Sequence, residues 1–216
     1  MSIHATSLQE NASLGTIERS KFLTWLPRGV LVFTMIFTGI SSLVQEYVIG
    51  TVFTYLLGNS IEQMSVTIGV MMLGMGVGTF LQRFIKTAMA EWFLGIELVL
   101  VVITGFSPIF LQWAFVELVD DFVWIKFLYM VVPGIFIGME IPLIIRINQR
   151  FTSNLGKNMS QTWAWDYVGG AIGVVIWIWM LRTIDLAHIS IWIAGCNLIV
   201  AIVMLLFFWG YGMLTK

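Results

Sequence analysis

Four acidic residues of this chain fall inside otherwise apolar stretches: Glu46, Glu97, Glu140 and Asp166. Glu46 directly follows Gln45 in "FTGISSLVQEYVIG", so an amide and a carboxyl group are neighbours in an apolar run. Carboxylates can bind metal ions, transfer protons, or pair with cationic amines through charge-assisted hydrogen bonds. The solvent around the chain decides among these roles, because an ionisable group in hydrocarbon is costly unless it is paired, solvated or protonated.

The composition predicts a polytopic membrane protein. Of 216 residues, 59% are hydrophobic and 11% are charged, whereas soluble domains carry about 25% charged residues. The formal net charge of −1 gives no support for nucleic-acid binding. One cysteine, Cys196, excludes an intrachain disulfide, and two histidines leave too few ligands for a zinc or haem site. We therefore expect neither a metal nor a cofactor.

The apolar runs predict an all-α fold of six transmembrane helices, since a bilayer core needs about 20 residues per helix. The first run continues to Leu57, so we expect residues 51–57 to tilt, to kink at Gly50 or to lie at the membrane surface. The predicted spans are 29–50, 64–82, 92–112, 123–145, 165–182 and 188–210.

The positive charges predict an orientation. Of the 11 lysines and arginines, nine fall on one side of the six spans, which predicts an inner-membrane protein with both termini in the cytoplasm. Residues 1–28 form a cytoplasmic segment, for which an interfacial helix and a tail with anchoring aromatic residues are equally good interpretations. Residues 29–210 form the membrane domain, and 211–216 a cytoplasmic tail.

Small residues recur at helical spacing in three of the spans, which is typical of close helix packing. A polar stripe also follows the first span at spacings of three and four, through Thr34, Thr38, Ser41, Ser42, Gln45 and Glu46. We expect this stripe to face away from lipid. The glycines predicted to pack are Gly69, Gly74, Gly78, Gly134, Gly138, Gly169, Gly170 and Gly173.

Depth separates the four acids. Glu97, Glu140 and Asp166 fall toward the cytoplasmic ends of their spans, whereas Glu46 falls in the outer half of the first. These four acids and Gln45 are candidates for binding a ligand. The alternative is that Glu140 and Asp166 pair with nearby cations (Arg146, Arg83 or Lys86), and that Asp166 lies at a helix N-terminus and interacts with its dipole.

The first and fourth spans each carry a glutamate after a glycine, and the second and fifth spans are both rich in glycine. Two units of three spans would have opposite orientations, so this pattern indicates an inverted repeat of the kind common in transporters.

Five stretches together resemble the multispan region of membrane-bound spermidine synthases (polyamine aminopropyltransferases). They are "TGISSLVQEYVIG" with "LLGNS" (38–60), "MLGMGVGTF" (72–80), "GIEL" (95–98), "GMEIPLIIRI" (138–147) and "WDYVGGAIG" (165–173). The chain departs from that family at Gln45, where an aromatic residue is frequent, and at Thr51, where arginine is frequent. The resemblance adds Tyr167, next to Asp166, to the candidate ligand-binding residues.

In the fused members of that family a Rossmann-like catalytic domain follows the membrane region. This sequence shows no such segment, so we expect no aminopropyl transfer by this chain alone. The resemblance implies a membrane module that binds, transports or senses a cationic amine and docks a separate catalytic subunit. A structural anchor within a larger complex of membrane or cytoplasmic subunits is the alternative.

Overall fold

The computed structural model describes the backbone of residues 2–214 and the side chains of residues 27–214. The chain forms six long helices joined by short connections, and a 3₁₀ turn at Gln82–Phe84 follows the second helix. No strand occurs in the described part of the chain. The helices are α1 (Ser2–Leu57), α2 (Ser60–Leu81), α3 (Met89–Glu117), α4 (Phe122–Asn148), α5 (Leu155–Thr183) and α6 (Leu186–Gly210).

All six helices are long and apolar enough to cross a membrane, which supports a multi-pass membrane protein. The first such segment runs Pro27–Leu57, as one helix that continues through Gly50. Helix α5 begins at Leu155, ten residues before the predicted boundary of 165. Polar residues in these first turns, nearly three in number at about 3.6 residues per turn, kept them out of a prediction based on hydropathy. The predicted interfacial anchor in 1–28 depends almost wholly on side chains outside the described residues.

Side-chain caps explain where three helices begin. Asn59, Asn154 and Asp185 precede α2, α5 and α6, and each side chain accepts a hydrogen bond from the backbone N–H three residues later. This contact satisfies one of the amide groups that a helix N-terminus leaves without a partner. Caps at these positions fix the turns and therefore the register of the helices that follow.

Helix α2 packs parallel to α4 through a glycine seam. A Cβ atom at Gly78 would overlap the carbonyl oxygen of Ile135, and one at Gly74 would lie 2.7 Å from the carbonyl oxygen of Val131. On the facing side, Gly138 lies equally close to the backbone of Met75. Because glycine has no side chain, the two backbones come into direct contact. Membrane helices associate through van der Waals packing of this kind, since the hydrophobic effect does not favour contact between helices in lipid.

Helix α5 packs parallel to α1 in the same way. Gly169 lies against the backbone of Ile36, and a Cβ atom at Gly173 would be 3.1 Å from the carbonyl oxygen of Ile40. Two of the predicted packing glycines lie outside these close approaches. A Cβ atom at Gly69 would meet open space, and one at Gly170 would make only ordinary contacts. Helices α3 and α6 form the third closely packed pair of helices, and they run antiparallel.

Pro142 inside α4 frees a carbonyl group, which a hydroxyl group of a neighbouring helix satisfies. Pro142 has no N–H to donate to the carbonyl of Gly138, and Thr79 of α2 donates a hydroxyl hydrogen bond to that oxygen instead (3.0 Å). This contact links α2 to α4 two residues before Glu140. Helix α4 therefore remains continuous to Asn148, with its proline satisfied from a neighbouring helix.

Candidate functional site

Glu97 of α3 and Glu140 of α4 lie against each other in the interior of the bundle. Their carboxyl groups lie close enough to influence each other electrostatically. Glu97 is 0% exposed and Glu140 is 3% exposed. Glu97 comes eight residues after the start of α3 and Glu140 eight residues before the end of α4. Both therefore lie about 12 Å from the same end of the bundle. We call this end the basic end, because it carries Arg28, Arg83, Lys86, Arg146, Arg150 and Lys157.

The cations expected to neutralise these acids are engaged elsewhere. Arg146 donates to the backbone and side-chain oxygens of Gln82 at 3.2 and 3.1 Å. The guanidinium of Arg83 lies 3.4 Å from the ring centre of Phe80. Within residues 27–214, none of Glu97, Glu140 and Asp166 has a lysine, arginine or histidine nitrogen at salt-bridge distance. The alternative of structural pairing with Arg146, Arg83 or Lys86 is therefore not what the structure shows.

Asp166 of α5 is the third acid at this site. It is half-buried, and its charge acts electrostatically on Glu140. Because α5 begins at Leu155, Asp166 lies eleven residues inside the helix. The effect of a helix dipole is confined to the first turn, so the predicted interaction of Asp166 with a helix N-terminus is wrong. The backbone oxygen of Asp166 contacts Gly39 of α1, which fixes the position of this residue in the α1–α5 seam.

Burial of Glu97 is not offset by hydrogen bonds from the described side chains. Both carboxyl oxygens of Glu97 are buried and accept no hydrogen bond within residues 27–214. An acidic residue at the centre of a membrane helix costs roughly 2.5–3.5 kcal/mol, and water or a partner must offset this cost. Among the described residues no three histidine, cysteine or acidic side chains group as metal ligands would. The chemistry that the pair itself offers is the binding of a cation with N–H donors.

The remaining predicted ligand residues lie elsewhere. Glu46 is half-buried on α1, eleven residues before Leu57 and therefore nearer the opposite end of the bundle; its buried Oε1 has no hydrogen-bond partner. Tyr167 is 66% exposed and packs against Trp163 on the outer surface of α5. The structure thus brings together Glu97, Glu140 and Asp166, and separates the other candidates from them.

The polar stripe of α1 turns inward as expected, and it contacts a residue that the sequence pattern had not singled out. Thr34, Thr38, Ser41 and Gln45 are all buried. Ser41 donates a hydrogen bond to the side-chain oxygen of Asn197 on α6. Asn197 was missed because a single amide in an apolar run carries little signal by itself. The motif "GCNL" at 195–198 nevertheless matches "GIEL" at 95–98, which contains Glu97.

A hydrogen-bond network joins α4 and α5 at the basic end. Asn158 donates to the carbonyl oxygen of Ile145 at 2.8 Å and accepts from the amide of Asn148 at 2.6 Å. The hydroxyl of Thr162 donates to the backbone oxygen of Asn158. At the opposite end Lys126 of α4 donates to Gln63 of α2. Polar contacts of this kind fasten the bundle on both sides of the acid pair.

Comparison with known proteins finds polyamine aminopropyltransferases. The polyamine aminopropyltransferase of Leptospira interrogans is 33% identical over 134 residues, which are 62% of this chain and 26% of the relative. Polyamine aminopropyltransferase 2 of Aquifex aeolicus is 40% identical over 139 residues, 62% of this chain and 27% of the relative. The protein is a partial match to the polyamine aminopropyltransferase family.

The match extends over most of the six-helix region in a third relative. The polyamine aminopropyltransferase of Oceanobacillus iheyensis is 28% identical over 196 residues, 89% of this chain and 36% of the relative. The matched segments thus make up only about a quarter to a third of the length of these polyamine aminopropyltransferases. No family model matches the chain, and no solved structure matches it.

Proposed function

We propose that this chain is a membrane module that binds a cationic amine between Glu97 and Glu140. The observation that carries the proposal is the burial of two adjoining carboxyl groups with no cation of residues 27–214 beside them. An ammonium group would donate charge-assisted hydrogen bonds to both carboxyl groups at once. It would also remove the electrostatic cost of the pair, so ligand binding and stability would be linked.

The similarity to polyamine aminopropyltransferases favours a polyamine as this amine. A polyamine carries several ammonium groups along a flexible chain, and Asp166 supplies a further negative charge within electrostatic range of Glu140. The location of the pair about 12 Å inside the bundle favours uptake, export or sensing of the ligand over surface attachment.

The experiment is direct binding of radiolabelled spermidine to the purified full chain in lipid nanodiscs. We compare the wild type with Glu97→Gln and Glu140→Gln, which keep the shape of each side chain and remove its charge. The matched control is Glu117→Gln, because Glu117 is exposed at the other end of α3. Both pair variants should weaken binding by about tenfold or more, and the control should not.

Two results would contradict this function. If spermidine binds equally well to all four proteins, the acid pair is not the site. Alternatively, none of them binds spermidine while the chain purifies from its native membrane in a stoichiometric complex, which would favour a structural anchor. Uptake of spermidine into vesicles, measured with the same variants and with Glu46→Gln, then separates transport from binding alone.

We further propose that the protein resides in the inner membrane with the basic end in the cytoplasm, as the distribution of lysine and arginine supports. The acid pair then opens toward the cytoplasmic side. A cytoplasmic partner, such as a catalytic subunit that acts on the same amine, would meet the ligand at that side. Co-purification of the tagged chain with a soluble aminopropyltransferase would support such a partner.

We also propose that α1–α3 and α4–α6 are inverted repeats. Gly134 follows Gly39 by 95 residues, and Gly173 follows Gly78 by the same 95. At this one offset the caps Asn59 and Asn154 also match, and further identities link α1–α2 to α4–α5: Met35/Met130, Ile40/Ile135, Ile49/Ile144, Met64/Met159, Ser65/Ser160, Thr67/Thr162 and Gly74/Gly169.

The packing follows the same offset. Gly78 contacts Ile135. Gly173 lies 95 residues after Gly78 and Ile40 lies 95 residues before Ile135, and these two corresponding residues also contact each other. Gly134 contacts the backbone of Met71. The residues that correspond to them at the same offset, Gly39 and Asp166, are also in contact, and Gly39 lies against the Asp166 backbone. A two-fold relation between the halves would produce these exchanged contacts, and repeats of three spans each are necessarily opposite in orientation.

A further inference from the structure

A small cavity at the basic end lies between α1, the end of α4 and the first turns of α5. Its volume is about 30 Å³, which is room for one water-sized group. Asn148 and Thr162 line it and are buried, whereas three other lining residues, Arg28, Gln161 and Trp165, are exposed. The cavity therefore has a buried floor and an exposed rim. None of the described residues that line it is acidic, so it is separate from the acid pair.

The hydrogen bonds around the cavity identify a polar atom of its floor that lacks a partner. Asn158 donates its side-chain N–H to the carbonyl oxygen of Ile145, so its side-chain oxygen accepts, and the donor is the side-chain nitrogen of Asn148. These two bonds fix the orientation of the Asn148 amide. Its Oδ1 is buried and has no hydrogen-bond partner, in a residue that is 9% exposed. The free atom is therefore an acceptor, and an N–H or O–H donor must complete it.

The cavity lies where the apolar runs of two helices begin. Arg28 immediately precedes the first predicted span, 29–50, and Trp165 is the first residue of the fifth, 165–182. Tryptophan and the basic heads of arginine and lysine concentrate at the membrane–water interface, at the level of the lipid headgroups. Arg28 makes no ion pair within residues 27–214, so its charge is available to a phosphate group.

We propose that this cavity binds the headgroup of a phospholipid that ends in a primary ammonium group, as in phosphatidylethanolamine. The phosphate pairs with the guanidinium group of Arg28, and the ammonium group enters the cavity and donates a hydrogen bond to Oδ1 of Asn148. The site is independent of the proposed amine site. A polyamine suits it poorly, because a polyamine brings no anion for Arg28.

Phosphatidylcholine is the matched lipid for comparison. It carries the same phosphate and the same net charge, but its quaternary ammonium group has no N–H to donate to Asn148. That group is also larger than the one water-sized group for which the cavity has room. A bound phosphatidylethanolamine would join the start of the α1 span to α4 and α5 at the membrane surface, and would stabilise the folded chain.

Native mass spectrometry tests the site with the full chain, purified in detergent and given equal amounts of the two lipids with identical acyl chains. The wild type should retain phosphatidylethanolamine over phosphatidylcholine by about fivefold or more, since the N–H donor is charged. Arg28→Gln should reduce bound phosphatidylethanolamine by about fivefold, and Arg28→Lys should keep most of it. The control is Arg150→Gln, because Arg150 is exposed at the same end and does not line the cavity.

The comparison of lipids on the wild type needs no substitution, so it decides even if a variant does not fold. Equal retention of the two lipids would mean that water alone fills the cavity, and would overturn the site. A preference for phosphatidylethanolamine that persists in Arg28→Gln would place the lipid elsewhere on the chain. Soluble phosphoethanolamine at the same concentration should displace little lipid, because it has no acyl chains. Displacement of most of the lipid would assign the cavity to a soluble phosphate ester instead.

Discussion

Glu97 on α3 and Glu140 on α4 meet at the same depth in the bundle, although 43 positions separate them in the chain. The meeting is possible because α3 begins and α4 ends at the basic end, and each acid lies eight residues from that helix terminus. Two carboxyl groups are thereby buried side by side. Under the proposed function, the buried pair lowers the stability of the empty protein, and a bound cation restores it.

The first prediction follows from this linkage. Spermidine should raise the melting temperature of the wild-type chain in detergent, because a ligand that binds only the folded state at 100 times its Kd adds about 2.7 kcal/mol of stability. The double variant Glu97→Gln/Glu140→Gln should show no such rise. Intrinsic fluorescence of the ten tryptophans reports the unfolding. An equal rise in the double variant would mean that spermidine acts elsewhere, for example on lipid or detergent.

The second prediction concerns the glycine seam between α2 and α4. Gly78→Ala should destabilise the chain by about 1–3 kcal/mol, because its new methyl group would overlap the carbonyl oxygen of Ile135 and force the two backbones apart. Gly76→Ala is the matched control two residues away, where a Cβ atom meets open space. Thermal unfolding of both variants measures the difference. Equal melting temperatures would show that the close approach contributes nothing.

The sequence predicted the fold well because hydrophobic length alone identifies helices in a membrane. Six spans were expected and six helices are long enough to cross. The boundaries were less accurate where polar residues continue a helix beyond the apolar run. Leu155 shows this, since α5 begins there behind the Asn154 cap rather than at 165. Local capping, which a hydropathy pattern does not contain, sets that boundary.

The candidate site was predicted only in part, because spacing along one helix does not reveal which helices pair. The grouping of Glu97, Glu140 and Asp166 at one depth followed from counting residues within spans. The contact of Glu97 with Glu140, and the engagement of Arg146 by Gln82, depend on the packing of α2 against α4. Tyr167 could not be placed on the exposed face of α5 until the α1–α5 seam was known.

The third prediction concerns the network at the basic end. Asn158→Leu should destabilise the chain by about 1–3 kcal/mol, because it leaves the amide of Asn148 and the carbonyl of Ile145 with fewer partners in a buried environment. Gln161→Leu is the control on the same helix, since Gln161 is exposed. Chemical denaturation followed by circular dichroism compares the two. A loss as large in Gln161→Leu would assign the effect to helix propensity rather than to the network.

The fourth prediction concerns orientation. In a Cys196→Ala background, a cysteine at exposed Lys157 should be protected from a membrane-impermeant maleimide in intact cells and should react after lysis. A cysteine at exposed Asp120, at the opposite end of the bundle, should react in intact cells. Mass shift on a gel measures labelling. The reverse pattern would place the basic end outside and invert the proposed direction of the acid pair.

The last prediction concerns the cap of α6 and its dependence on pH. The carboxylate of Asp185 accepts a hydrogen bond from the ring of His188, which lowers the pKa of Asp185 below its ordinary value of 3.8. The folded state therefore favours the ionised cap. Its contribution to stability is present above the unfolded pKa and is lost as the pH falls through the lowered folded pKa.

Melting temperatures of the wild type and Asp185→Asn should accordingly differ at neutral pH and converge below pH 3.8. His188→Ala should remove most of this pH dependence while Asp185 still caps the helix, whereas a difference that stays constant with pH would show that the carboxylate is not what stabilises the start of α6.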